Sequence, residues 1–237
     1  MLYALPLPPG DFLQDAILLN GDTMKIEKRE ITLRSGNEIM KLADKDSDMT
    51  FQRILGGLGW PYAERPGFIL VMGEDFDPDH SLPHSPHHYR VLAEHETSDL
   101  EEIQRFCHKF EEDFCLSSFL GNPENPIYEM WKKQKGHPSR ISLPYDFEKL
   151  NLNLIVQLVR QNTEARKTLH FGESKIPGSL TRFMVDRIEN EKIEEFPAMT
   201  AFGFILAQMA LRGGSITPHF VPDRSGAARV NSRIRRR

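Results

Sequence analysis

The clearest pattern in the chain is an unbroken apolar run, Phe68-Ile69-Leu70-Val71-Met72, which predicts a strand buried on both faces. Upstream, residues 24–33 and 38–42 alternate apolar and polar positions around Ser35-Gly36-Asn37, the pattern of a β-hairpin. Residues 1–10 read as an extended, proline-rich lead-in, and Asp11 is placed to cap a short helix to Leu19. The glycine-rich stretch Gly56-Gly57-Leu58-Gly59-Trp60-Pro61 reads as a boundary or mobile loop. Downstream of the apolar run, residues 89–93 predict a second strand. Ser98 and Glu101 form a capping box ahead of Leu100, Ile103, Phe106, Cys107, Phe110 and Phe114, which recur at helical spacing. Strands are expected at 115–120, 140–143 and 169–171. Helices are expected at 127–135, 150–168, 179–189 and, strongly apolar, at 197–211.

That order is α/β. The short gaps early in the chain suit antiparallel hairpins, and the helices between later strands suit parallel crossovers. A mixed sheet flanked by helices follows, with the 197–211 helix buried against it. The expected division is an N-terminal helix and β-hairpin segment over 1–66, an α/β domain over 67–212 and a tail over 213–237.

Composition narrows the class. With 237 residues, 39% hydrophobic and 27% charged, the chain has enough material for a real core and excludes disordered, collagen-like and coiled-coil proteins. Two cysteines exclude a disulfide scaffold or a four-cysteine zinc module. No apolar run reaches the ~18–20 residues needed to cross a bilayer, and no secretory leader is apparent, so a cytoplasmic protein with no membrane partner is expected.

Charge is unevenly placed. The formal net is −4, yet Arg224, Arg229, Arg233, Arg235, Arg236 and Arg237 follow Asp223 with no acid among them. Without these six arginines the remainder stands near −10. A basic tail on an acidic body suits a flexible arm that seeks DNA or an acidic protein surface, or simply a solubilising end. A second basic run, Lys132, Lys133, Lys135 and Arg140 beside Trp131, reads either as a solvated face or as a phosphate-contacting one.

Three clusters invite chemistry. Asp75, Asp77 and Asp79 follow the apolar strand at its carboxyl end, where ligands of open α/β sheets gather, and bunched carboxylates suit Mg²⁺ or Mn²⁺. The plain alternative is a solvated acidic turn. His80, His84, His87, His88 and His95 supply imidazoles that suit Zn²⁺ or Ni²⁺, or form only a polar loop. Cys107 and Cys115 read as core residues rather than nucleophiles. No phosphate-binding loop, serine elbow or dinucleotide fingerprint is present.

The stretch from Gly67 to Leu211 resembles the ribonuclease H-like nuclease domain of tailed-phage terminase large subunits. Ile69-Leu70-Val71-Met72-Gly73-Glu74-Asp75 looks like the first strand with its metal-binding acid. Residues 115–120 with Gly121-Asn122-Pro123-Glu124 look like the fourth strand, whose end holds a second carboxylate in that family. Glu194-Glu195-Phe196-Pro197-Ala198 is similar to the head of its acid-bearing C-terminal helix. The resemblance implies two-metal-ion phosphodiester hydrolysis with Asp75, Glu124 and Glu195 as catalytic metal ligands, Asp77 as a further ligand and Mg²⁺ or Mn²⁺ as cofactor. It also implies DNA as substrate and a portal as docking partner for the Arg tail, within a bacterial host cell. Three departures stand against intact chemistry. Asn122 or a displaced Glu124 replaces the expected Asp, Ala198-Met199-Thr200-Ala201 replaces an Asp pair, and two strands rather than three precede the capping-box helix. Three readings therefore stay open: a metal-dependent endonuclease of viral DNA packaging, a non-catalytic nucleic-acid- or portal-binding module, or an α/β protein unrelated to that family.

Overall fold

A computed structural model describes residues 24–33, 35–76, 88–133, 138–144, 169–185 and 193–212. Among these, strands β1 (Ile26–Thr32), β2 (Glu38–Asp44), β3 (Thr50–Gly59), β4 (Gly67–Asp75) and β5 (Tyr89–Thr97) form a continuous antiparallel run. Helix α1 (Leu100–Phe114) follows, then β6 (Phe119–Leu120), α2 (Pro126–Lys133), β7 (Ile141–Ser142), β8 (Leu169–His170), α3 (Ile176–Val185) and α4 (Pro197–Arg212). All eight strands belong to one mixed sheet ordered β1-β2-β3-β4-β5-β8, with β6 paired to β3 and β7 to β6. The helices expected at 150–168 and before residue 20 lie outside the described residues.

Strand β3 organises the sheet. Its start pairs with β2 (Leu42↔Phe51, Ala43↔Thr50). The same edge, five residues further on, takes β6 in parallel through Gly56↔Phe119 and Gly57↔Leu120. The glycine-rich stretch expected to be a loop is therefore a central strand. The division expected at residue 66 falls within the β3–β4 hairpin, which pairs from Gly59↔Phe68 to Phe51↔Asp75.

Strand β4 is buried on both faces, as its apolar run demands. Phe68, Leu70 and Met72 join Met199, Phe202, Ile205 and Leu206 of α4 in one core cluster. Ile69 and Val71 point the other way into a cluster with Ile103, Cys107, Phe110 and Phe114 of α1. One sheet thus separates two helical layers. Helix α4 is buried along its described length from Met199 to Met209, consistent with apolar residues on every side.

The glycines of β3 explain how α4 comes so close. A Cβ at Gly57 would lie 2.5 Å from the Ala201 carbonyl oxygen, and one at Gly59 would overlap the Pro197 carbonyl. Helix backbone rests directly on strand backbone at both places, which only a residue without a side chain permits.

Two local expectations are corrected. Helix α1 is capped by Asp99 rather than Ser98: its carboxylate accepts the Glu101 N–H at 2.9 Å and the Glu102 N–H at 3.4 Å. Cys115 does not open a strand. It ends α1 in the left-handed region (φ 52°), and its exposed thiol donates to the Ile26 carbonyl at 3.4 Å. Cys107 is fully buried against apolar neighbours, and burial pushes its thiol far above the usual range, so it is core and not nucleophile.

Candidate functional site

The three carboxylates expected to share metal ions do not converge. Asp75 ends β4 opposite Phe51, whereas the other end of the hairpin is set by Gly59↔Phe68. Seven residues at ~3.3 Å per residue put Asp75 roughly 23 Å from that end. Glu195 and Glu124 belong to the far end. The Glu195 carbonyl accepts from Arg65 Nη1 at 2.7 Å, beside the β3–β4 turn. Glu124 is exposed, with its N–H on the Asn122 side-chain oxygen at 2.9 Å, just past the end of β6. A shared site for Asp75, Glu124 and Glu195 is excluded by sheet geometry. Asp77 lies outside the described residues.

Asp75 has a different occupation. Arg90, on the adjacent strand, sends Nε to both carboxylate oxygens at 3.0 and 2.8 Å. Burial raises the Asp75 carboxyl above its ordinary value, with the Arg90 charge and hydrogen bond opposing, and His170 and His88 adding lesser opposition. His88 Nδ1 faces His170 Nε2 at 2.9 Å with the rings stacked, within hydrogen-bond distance. The histidine cluster is thus divided. His88 closes this strand-end group, His95 lies on β5 against the Phe106 ring of α1, and His80, His84 and His87 lie outside the described residues.

His95 stacks on Phe106 with ring centroids 3.4 Å apart and faces Glu102 at 3.5 Å. Its Nε2 is buried without hydrogen-bond geometry to any partner. Burial lowers its pKa, with Glu102 opposing. The folded state therefore binds this proton less readily than the unfolded chain. The contribution is present at neutral pH and is lost as pH falls below the unfolded value, about 6.5. His95→Phe, which keeps the stack and removes the titration, is expected to reduce the loss of thermal stability between about pH 7.5 and 5.5. An unchanged pH profile would remove His95 from the account.

The end of the sheet to which Glu124 and Glu195 belong is made by β3, β6 and α4. Here Gly59 lies under Pro197, and Trp60 Nε1 donates to the Asn122 carbonyl at 2.9 Å. Trp60 also packs edge-on to Trp131, with centroids 5.1 Å apart. The first turn of α4 carries no acid. Asn122 Oδ1 is taken by the Glu124 N–H, and Thr200 Oγ1 donates to the Ile193 carbonyl at 2.6 Å. Mg²⁺ and Mn²⁺ need several oxygen ligands, chiefly carboxylates. A glycine, an engaged asparagine and an acid-free helix start do not fit them. Among the described residues, no three His, Cys, Asp or Glu side chains are grouped to hold a metal.

The basic candidates are partly visible. Lys132 and Lys133 are exposed at the end of α2, and Arg140 is exposed just before β7. Lys132 pairs with Glu129 at 2.7 Å and lies 4.5 Å over the Tyr128 ring, which spends part of its charge locally. Lys135 and the tail arginines Arg233, Arg235, Arg236 and Arg237 lie outside the described residues. Sequence reasoning passed over Arg65. Its one signal was position, in a turn between two strands, and that signal is visible only once β3 is recognised as a strand. No described helix is long and apolar enough to cross a membrane. Comparison with known protein families, with curated proteins and with solved structures finds no match to this chain.

Proposed function

We propose that this chain is a ribonuclease H-like domain of the terminase large-subunit nuclease type that has lost its cutting centre and serves as a nucleic-acid-associated module of a phage or prophage. One observation carries the reading. Five antiparallel strands precede α1; the last three of them, β3, β4 and β5, lead into it, and β6 then returns parallel to β3. In this reading Thr50–Gly59 is the third strand that the resemblance expects. The first-strand position then moves from β4 to β3, which contains no Asp or Glu, while β6 and α4 keep theirs. β6 ends at Leu120 and leads to Asn122, and α4 carries no acid in its first turn. Asp75 falls on the second strand and drops out of the catalytic set.

A domain with this layout and no acid on β3, at position 122 or in the first turn of α4 keeps the shape of a phosphodiester-handling protein without the family's metal ligands. Plasmid nicking in Mg²⁺ or Mn²⁺ is the direct test. The full chain is expected to leave supercoiled plasmid intact, and to bind DNA with an affinity that falls steeply as salt rises. Divalent-dependent nicking by the pure chain would restore the endonuclease alternative, and nicking lost in Asp75→Ala would return that residue to the site. Absence of binding to any nucleic acid at low salt would reject the reading as a whole.

A further inference from the structure

At the same end of the sheet, a cleft of about 610 Å³ opens between the first turns of α3 and α4, with Arg65, Glu96, Lys175 and Phe196 among its lining residues. That volume lies in the range of small-ligand sites. Its polarity is mixed. Pro66, Phe196 and Met199 supply apolar wall, while Arg65 and Lys175 set two cations against the single carboxylate of Glu96.

Arg65 is held for a purpose other than packing. The β3–β4 tip is a two-residue loop, with Tyr62 N–H on the Arg65 carbonyl at 3.1 Å and Arg65 N–H on the Tyr62 carbonyl at 2.9 Å. Ala63 makes the loop in the left-handed region (φ 51°), a conformation costly for a residue with a Cβ. The Arg65 guanidinium then lies 3.8 Å over the Phe196 ring and donates to the Glu195 carbonyl at 2.7 Å. An exposed guanidinium is thus held over an aromatic ring by a cation–π contact and a hydrogen bond. Tyr62, directly opposite Arg65 in the hairpin, shares its side of the tip and is 46% exposed. Lys175, with its ammonium 2.9 Å from Glu96, stands at the rim and is mostly exposed.

We propose that this cleft and the Tyr62–Arg65 tip bind a single-stranded nucleic acid, with a base stacked on the Arg65–Phe196 pair and the adjoining phosphate against Lys175. Planar guanidinium and aromatic faces accept any base, and ammonium groups beside them hold the backbone, which is how strands are held without sequence reading. The inference rests on the nucleic-acid reading above and gives it a location. Duplex DNA does not present a free base face to such a tip.

Fluorescence anisotropy with a labelled twelve-residue oligothymidylate and with a labelled duplex tests it on the full chain. The oligothymidylate is expected to bind more tightly than the duplex. Arg65→Ala and Lys175→Gln are each expected to weaken it about tenfold, whereas Lys28→Gln, on the exposed strand β1, leaves it near wild type. Glu96→Gln, which removes the carboxylate competing for Lys175, is expected to tighten binding several-fold, an outcome that misfolding does not produce. If the strand binds with equal strength to wild type, Arg65→Ala and Lys175→Gln, the cleft is not its site, although the broader reading survives. Tighter binding of duplex than of strand has the same consequence. Failure of both probes to bind overturns the inference and the broader reading together.

Discussion

Gly59→Ala is expected to lower the folding stability of this protein by about 3 kcal/mol or more, the upper range for forcing atoms into a packed core. The added methyl would overlap the carbonyl of Pro197, the first residue of α4. Backbone at a helix start cannot rotate aside as a side chain can. Either α4 retreats from the sheet, exposing Met199 and Phe202, or the strand bends away from β4. Urea unfolding should show a lower midpoint at unchanged slope. Gly178→Ala supplies the opposite control. Nothing lies within 4 Å of a Cβ there, and the residue sits within α3, so a gain of about 0.5–1 kcal/mol is expected. Gly59→Asp should be at least as damaging as Ala. A carboxylate at position 59 has no room while α4 keeps its seat. An unchanged midpoint for Gly59→Ala would mean that α4 does not rest on β3, and the account of their backbone contact would fail with it.

The same glycine shows where the sequence was legible and where it was not. Strand β4 and helix α1 announce themselves because their burial is carried by side chains: a continuous apolar run in one, a 3.6-residue period in the other. Strand β3 is buried just as deeply at its far end, but there backbone does the packing, and glycine is the only residue that lets it. Propensity therefore points to a loop where the fold places its centre. The error passed directly to the candidate site. With β3 unseen, β4 took the place of the first strand, and Asp75 took the place of its acid. Nothing local to Asp75 contradicts that reading, because Arg90, fifteen positions along the chain, meets it only through the β4–β5 pairing. Charge counting likewise found Lys132 and Lys133 because they are adjacent in sequence. It missed Arg65 and Lys175, which are 110 residues apart in sequence and share a cleft.

Arg53→Met should cost about 3–5 kcal/mol, the usual penalty for withdrawing one member of a buried ion pair. Arg53 and Glu74 face each other across the β3–β4 pairing, and Arg53 Nε donates to the Glu74 carboxylate. Glu74 is almost wholly buried, with 3% of its side chain exposed. The same guanidinium sends Nη2 to the Met209 carbonyl at 2.6 Å, so it also ties the far part of α4 to the sheet. Methionine keeps much of the stem's packing but supplies neither donor nor charge. Lys41 also feels the Glu74 charge, which opposes the lowering of its pKa by burial, yet its ammonium does not replace the directed guanidinium bond. The double variant Arg53→Met/Glu74→Met removes the stranded charge as well, and more than half of the loss should return. Urea midpoints for the two single variants and the double form the cycle. A single Arg53→Met variant within about 0.5 kcal/mol of wild type would show that the pair is not desolvated. Should the expected values hold, α4 is fixed to β3 at both ends by unlike means, glycine contact at Pro197 and a guanidinium clamp at Met209. A helix pinned in that way keeps its first turn seated on Gly59, where it forms one wall of the cleft beside Arg65.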